Sequence, residues 1–244
     1  MARLLWCCDG AHRGAENMER DRALWQMFEA DPQPGVRLRL YRWDPPALSL
    51  GFHQPEDSVD REALADRGYD LIRRPTGGAA VLHVDELTYS VSAPLGLPGL
   101  GRGVLEIHAA IADALARAFR DVDVDVDFGG DGVPQDFACF SGAGGHEMTL
   151  GGKKLVGSAL RRGRKAFLQH GSILGSPSHL DLTDFIAGTD DEARRVARRA
   201  LEAKTCTLPD LDATVFAMHL AEALARPCGI QAHRVEQFEA LLQP

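Results

Sequence analysis

The feature that most restricts the fold is that two hydrophobic periods alternate along the chain. Apolar residues recur at helical spacing in residues 16–30 and 103–120, whereas every second residue is apolar in VRLRLY, residues 36–41. Glycine turns join some of the strand-like segments directly, which is typical of hairpins. The pattern therefore favours an α/β fold of the α+β type, a mixed sheet with flanking helices, over a regular doubly wound sheet.

Shorter segments extend this prediction. Residues 61–68 and 212–226 are predicted helices, the second ending before Pro227, and Thr189 with Glu192 has the spacing of a capping box ahead of a third. A turn at Gly151-Gly152 is predicted to join two strands. The other predicted strands lie in YDLIRRPTGGAAVLHVDELTYSVSAP (69–94), DVDVDVDF (121–128), HEMTLGGKKLVGSAL (146–160) and AFLQHGSIL (166–174).

Bulk properties exclude several classes of protein. The 244 residues suit one domain spanning 1–244, and no apolar stretch approaches the roughly 18 residues of a membrane helix. A net charge of -8 argues against a nucleic-acid partner. The five cysteines form no CxxC pair, so neither a metal site nor a disulfide framework is indicated. With no signal peptide visible, we expect a cytoplasmic protein without a membrane partner.

Four segments contain the candidate chemistry. Two glycines in RRPTGGAAVLH (73–83) would let the backbone approach a ligand, although an ordinary tight turn has the same sequence signature. GKKLVGSA (152–159) could hold a cation at a cleft, or it could be a surface hairpin. His170 in LQHGSIL could be a site residue or a structural histidine. Cys139 in DFACFSGAGGHE could be a nucleophile or an inert packing group.

Basic residues are concentrated in one part of this otherwise acidic chain. Such a run is either a solvated face or a docking patch for an acidic partner. The residues concerned are Lys153, Lys154, Arg161, Arg162, Arg164 and Lys165.

In their order and spacing, these segments resemble the superfamily of lipoate–protein ligases and octanoyltransferases, which also contains biotin protein ligases. The resemblance spans about residues 14–175 and includes AENM–D (15–21), SLGF (49–52), RRPTGGxAVLHxxELTYSV, GxKLVGSA and LQHGSIL. It implies the catalytic-domain fold of the biotin and lipoate protein ligases. The Cys139-Phe140 pair ahead of the GxKLVGSA strand is most similar to the LipM-type octanoyltransferases.

That resemblance implies an acyltransferase acting in lipoate assembly. Octanoyl would pass from an acyl carrier protein to Cys139, assisted by Lys154, and then to a lysine of a lipoyl domain or of a glycine-cleavage H protein, with no cofactor and no metal. Ala79 and Leu160 depart from the family pattern and are expected to bear on acyl-chain length or donor. The implied acyl-site residues are Arg73, Arg74, Thr76, Gly77, Gly78, Ala79, His83, Gly157, Ser158, Ala159, His170 and Gly171.

Two other functions are compatible with the same resemblance. An ATP-dependent lipoate–protein ligase would form lipoyl-adenylate with Mg²⁺, and Cys139 would then have no role. An inactive homologue would bind acylated carrier domains without turnover. Pyrophosphate release from ATP and free lipoate would identify the ligase, and tight binding without turnover would identify the inactive homologue.

Overall fold

The computed structural model describes residues 2–129 and 147–243. Its elements alternate between helix and strand, as the two hydrophobic periods predict. The helices are α1 (Gly14–Ala30), α2 (Arg61–Asp66), α3 (Val104–Arg120), α4 (Asp191–Lys204) and α5 (Ala213–Cys228). The strands are β1 (Arg3–His12), β2 (Gly35–Trp43), β3 (Ala47–Leu50), β4 (Asp70–Arg73), β5 (Val81–His83), β6 (Glu86–Pro94), β7 (Asp127–Gly129), β8 (Glu147–Leu150), β9 (Lys153–Arg162), β10 (Ala166–Leu174) and β11 (Gln231–Arg234).

The strands form two sheets. The larger has the order β11-β1-β2-β6-β10-β9-β8-β7, and the smaller has the order β4-β3-β5. In the larger sheet β1 is parallel to both of its neighbours, whereas β2, β6, β10, β9, β8 and β7 pair antiparallel in turn. The mixed sheet predicted from the sequence is therefore confirmed.

The main apolar core lies on one face of the larger sheet, beneath α3 and α5. Strand β2 contributes Val36, Leu38 and Leu40, as its alternation predicted, and α3 contributes Ile107 and Ile111. Each of these side chains is no more than 1% exposed. Burial of this apolar stripe stabilises the helices on the sheet far more than their intrinsic propensity does.

Helix α1 lies on the opposite face, in contact with β2, β6 and β10 and with β4 of the smaller sheet. Its buried side is unusual because it includes the polar residues Asn17 and Asp21 beside Met18, Leu24 and Phe28. The space between α1 and the larger sheet therefore contains polar groups that must find partners within the protein.

The alternating segment DVDVDVDF is not a continuous strand, and that prediction is wrong for residues 121–126. Residues 121–123 form a turn after α3, and the backbone N–H of Val124 donates to the carbonyl of Phe119 at 2.9 Å. Asp123 has a φ of 60°, a left-handed conformation that aspartate tolerates. The segment closes the end of a helix because the last carbonyls of α3 require donors, and only β7 is extended.

The ends of α4 and α5 also differ from the prediction. Asp190 caps α4 by accepting from the backbone N–H of Ala193 at 2.8 Å, whereas the Thr189 hydroxyl donates to the carbonyl of Ile186. Helix α5 continues through Pro227 and ends before Gly229, whose φ of 65° suits glycine. Among the described residues, no helix has the length and apolar character required to cross a membrane.

Candidate active site

A buried polar face runs along β6. Glu86, Thr88, Ser90 and Ser92 are all at most 2% exposed and alternate with apolar residues that face the α3–α5 core. Their side chains face the same side of the sheet as α1, since successive residues of a strand point to opposite faces. The sequence pattern predicts the apolar side of this strand and assigns no role to its polar side.

Arg39 of β2 is at the centre of this polar layer, and its side chain is 0% exposed. The guanidinium donates to Asp21 Oδ1 at 2.9 Å, to Asp9 Oδ2 at 2.5 Å and to the Asn17 side chain. Burial alone would raise the pKa of Asp21, but the hydrogen bond from His170 and the charge of Arg39 lower it below its ordinary value. Asp21 is therefore an ionised carboxylate inside the protein.

His170 of β10 joins this carboxylate to the glycine turn. Its Nδ1 lies 3.0 Å from Asp21 Oδ2, and its Nε2 lies 2.6 Å from the Thr76 hydroxyl. Thr76 is 1% exposed and immediately precedes Gly77-Gly78. The structure thus brings together His170 and Thr76, two residues implied by the resemblance, although they lie 94 positions apart.

His83 makes a similar arrangement at the end of β5. Its Nδ1 lies 2.8 Å from Glu86 Oε1, its Nε2 lies 2.7 Å from the Ser49 hydroxyl, and its ring stacks on Trp43 at 3.9 Å between centroids. Glu86 Oε1 also accepts from Thr88 at 2.6 Å. Burial lowers the pKa of His83, and the Glu86 carboxylate only partly offsets this effect. His83 is accordingly held as a neutral ring.

Arg74 supports the glycine turn from inside. Its guanidinium donates to the Ser49 carbonyl at 3.0 Å, to the Gly77 carbonyl at 2.8 Å and to the Ala79 carbonyl at 2.7 Å. The turn also packs closely on Gly51, where an added Cβ would lie 1.8 Å from the Gly78 carbonyl oxygen. Gly78 has a φ of 92°, so glycine is required there.

Two other arginines donate hydrogen bonds to backbone carbonyls of the loops around this turn. Arg73 donates to the carbonyls of Gly51 and Gln54 at 2.8 and 2.6 Å. Arg161 donates to the Pro75 carbonyl at 2.9 Å, and its guanidinium lies 4.5 Å from the ring centroid of Trp25. Arg73 was implied as a ligand contact and Arg161 belongs to the basic run, but both bind backbone carbonyls in this structure.

A narrow cavity of about 20 Å³ lies where these groups meet. That volume is room for about one water molecule, so an acyl chain can enter only if lining side chains move. The cavity is lined by Met18, Tyr41, Trp43, Arg74, Val81, His83, Thr88, Gly157, His170, Gly171 and Ser172. A larger cleft of about 1080 Å³ at the other end of α1, beside Met27 and Arg37, contains none of the implied site residues.

Glycines form the sheet side of the small cavity. Gly157 of β9 pairs with Ser172 of β10, and Ala159 pairs with His170. Gly171 must be glycine, because an added Cβ would lie 2.5 Å from a ring carbon of Tyr89. Ser158 points to the same face as that added Cβ, away from the cavity, and its hydroxyl lies 2.7 Å from the hydroxyl of Tyr89.

Of the two residues implied in covalent chemistry, the structure describes Lys154 but not Cys139. Lys154 lies at the start of β9, is 3% exposed, and its carbonyl accepts from the backbone N–H of Cys206 at 3.0 Å. It is absent from the lining of the small cavity, three positions before Gly157. Cys139, the implied nucleophile, lies outside the described residues. Within those residues, no group of three or more His, Cys, Asp or Glu side chains could hold a metal ion.

Comparison with known proteins shows which family this chain resembles. The sequence model of the lipoyl protein ligase A/B catalytic domain matches residues 13–226. The chain belongs to this family. The chain is 40% identical to the octanoyltransferase LipM of Kyrpidia tusciae in an alignment 226 residues long, which covers 88% of this chain and 82% of that protein. It is also 31% identical to LipM of Staphylococcus aureus over 208 residues, covering 80% and 74% of the two chains.

Solved structures show the same lipoyl ligase fold. A lipoate-protein ligase A bound with ATP superposes with a TM-score of 0.73 at 20% identity, covering 99% of this chain and 93% of the other. A bipartite lipoate protein ligase from Thermoplasma acidophilum gives a TM-score of 0.74 at 20% identity, with 99% and 90% covered. The resemblance and the fold class stated from the sequence are confirmed, and the LipM relatives agree with the prediction of an acyltransferase.

Proposed function

We propose that this chain transfers an octanoyl group in lipoate assembly through a cysteine thioester, and that the final acceptor is a lysine amine on a lipoyl domain or a glycine-cleavage H protein. The observation that carries the activity is the 40% identity to an octanoyltransferase over 226 residues. The small cavity beside the glycine turn is the proposed acyl site, and its lining side chains, Met18 and Trp43 among them, would have to move apart to admit the octanoyl chain.

The reaction has two balanced steps. In the first, the Cys139 thiolate attacks the carbonyl carbon of an octanoyl thioester on an acyl carrier protein, and the carrier thiolate leaves. In the second, the neutral lysine amine of the acceptor attacks the Cys139 thioester. The Cys139 thiolate then leaves and the new amide nitrogen loses a proton. A thioester is already activated, so the proposal needs neither ATP nor a metal ion.

Lys154 is proposed to stabilise both steps. An ammonium group near Cys139 favours the thiolate and stabilises the negative oxygen that develops when the acyl carbonyl is attacked. A single donor in this role contributes about 10²–10³ in rate. The support for this role is the resemblance, in which Lys154 of the GxKLVGSA segment stands at the position of the family's lysine.

The rings of His83 and His170 are proposed to bound the acyl slot. Both line the cavity, and both have their Nε2 atoms occupied by hydroxyl groups, of Ser49 and Thr76 respectively. Gly157, which pairs with the cavity-lining Ser172, leaves that part of the cavity wall without a side chain.

The test is Cys139→Ala. Mixed with octanoyl–acyl carrier protein, the wild-type chain should gain the mass of one octanoyl group by intact-protein mass spectrometry, and Cys139→Ala should gain none. Cys206→Ala is the matched control, because Cys206 is a half-buried cysteine whose sulfur lies 3.3 Å from the Lys153 carbonyl. An adduct that persists in Cys139→Ala would refute the nucleophile assignment.

A second measurement separates transfer from ligation. The wild-type chain with the carrier thioester and a lipoyl domain should form the octanoyl-lysine amide without nucleotide. Release of pyrophosphate from ATP and free lipoate, with no transfer from the thioester, would instead identify an ATP-dependent ligase.

A further inference from the structure

Four buried groups form a continuous chain from β2 to the glycine turn. Arg39 donates to Asp21 at 2.9 Å, Asp21 lies 3.0 Å from His170 Nδ1, and His170 Nε2 lies 2.6 Å from the Thr76 hydroxyl. Asp21 and Arg39 are 0% exposed, and neither lines the cavity. The transfer steps proposed above assign no role to Asp21.

The hydrogen-bonding capacity of Asp21 fixes the proton on His170. An ionised carboxylate can only accept, and Asp21 already accepts from Arg39 and from the Tyr41 hydroxyl, the latter at 2.9 Å. The Nδ1 atom of His170 must therefore carry the hydrogen that lies between the two side chains. Rotation of the ring would break this bond and leave a carboxylate buried without that donor, which is costly.

Thr76, at the other end of this series of hydrogen bonds, is equally constrained. The Thr76 hydroxyl lies against His170, and the Thr76 carbonyl accepts from the backbone N–H of Phe52 at 2.9 Å. Gly77 follows directly, and its carbonyl is held by Arg74 at 2.8 Å. The orientation of the His170 ring consequently decides where the side chain of Thr76 can sit, and with it the start of the glycine turn.

We propose that Asp21 is a positioning residue for acyl transfer, which acts by orienting His170 and, through Thr76, the glycine turn beside the acyl cavity. This inference rests on the proposed function for its kinetic consequence, but its structural part does not. Asp21 touches no reacting atom. Misplacing a reacting group by about 1 Å can lower the rate by about 10²-fold. A buried residue that sets the position of the glycine turn can therefore control turnover.

The decisive variant is Asp21→Asn. Its amide oxygen would stay with the charged Arg39, and its NH₂ group would then face His170 Nδ1, which must become an acceptor. With ¹⁵N-labelled histidine, NMR should show a protonated Nδ1 on His170 in the wild type and an unprotonated Nδ1 in Asp21→Asn. The signal is assigned by its loss in His170→Gln. A protonated Nδ1 that persists in Asp21→Asn would overturn the proposal.

Kinetics supply the second readout. Asp21→Asn should lower kcat for octanoyl transfer by about 10²-fold, with KM for the carrier thioester within about twofold of the wild type, because docking is untouched. Asp9→Asn is the matched control. Asp9 accepts from the same Arg39 at 2.5 Å but is not bonded to His170, so this variant should keep the protonated Nδ1 and most of kcat.

Thr76→Val covers the case in which Asp21→Asn does not fold. Valine has nearly the shape of threonine and removes only the hydroxyl, so Nδ1 of His170 should stay protonated while kcat falls by about tenfold or more. Wild-type turnover in Thr76→Val would overturn the proposal. If the wild-type chain itself forms no octanoyl adduct, the proposed function fails, and the NMR comparison still decides whether Asp21 orients His170.

Discussion

Two glycines near the turn illustrate how differently the same residue type can be constrained. At Gly51 an added Cβ would lie 1.8 Å from the carbonyl oxygen of Gly78, whereas at Gly77 nothing lies within 4 Å of that position. One glycine is required for close packing between two backbone segments, and the other leaves open space in front of the turn.

The substitution Gly51→Ala should therefore destabilise the protein by about 3 kcal/mol, since backbone atoms on both sides would have to move apart. Gly77→Ala should change the free energy of unfolding by less than about 0.5 kcal/mol. Urea denaturation followed by circular dichroism would measure both. Equal stability of the two variants would show that the turn is not packed on residue 51.

At the residue scale, motifs located some site groups and missed others. Thr76 and His170 lie in segments that the sequence singled out, and the structure joins them. Asp21 and Glu86 lie inside the AENM–D and ELTYSV segments that carry the resemblance, but the sequence assigns no role to them or to Arg39. The role of Asp21 depends on a partner far away in the chain. Asp21 and His170 are 149 positions apart. The available signal was Glu86-x-Thr88-x-Ser90-x-Ser92, a polar alternation inside an otherwise apolar strand.

Among the elements, α4 shows how a cap is chosen between adjacent candidates. Asp190 and Thr189 both precede the helix, but only the Asp190 carboxylate reaches the backbone N–H of Ala193. A carboxylate at this position also interacts favourably with the positive end of the helix dipole.

We expect Asp190→Ala to lower the free energy of unfolding by about 1 kcal/mol, the usual effect of losing an N-cap. Thr189→Ala should cost less than about half as much, because it removes a hydroxyl that donates to the Ile186 carbonyl outside the helix. Thermal denaturation of the two variants provides the comparison. A larger loss in Thr189→Ala would restore the capping box predicted from the sequence.

Helices and strands with a clear period were predictable, and exceptions have a local cause. The stripe in α3 and the alternation in β2 matched the structure because each buries one side on a sheet or helix. DVDVDVDF has a strand-like alternation, but its first residues provide the donors that end α3. Periodicity reports which residues can be buried, whereas the requirement to satisfy helix carbonyls is invisible to it.

At the scale of the whole molecule, the segment of residues 238–242 covers part of the core. The 3₁₀ helix Phe238–Leu242 places Phe238 and Leu241 against Leu5 and Leu24, so that the end of the chain packs on β1 and α1. The carbonyl of Leu241 also accepts from the buried guanidinium of Arg37 at 2.6 Å. The segment thus covers both apolar surface and a charge.

Adjacent leucines in this segment allow a matched test. Leu241 is 0% exposed and Leu242 is 37% exposed. Leu241→Ala should lower the free energy of unfolding by about 3 kcal/mol through lost burial and a residual cavity, whereas Leu242→Ala should cost less than about 0.5 kcal/mol. Urea denaturation midpoints would show the difference. Similar midpoints for the two variants would mean that the segment does not pack as described.

The central strands of the larger sheet are enclosed on both sides, mainly by apolar side chains beneath α3 and α5 and by a layer rich in buried polar side chains beneath α1. A shift of one residue in strand pairing would exchange the two environments and bury charges in the apolar layer, so misregistered forms of this sheet are strongly excluded during folding.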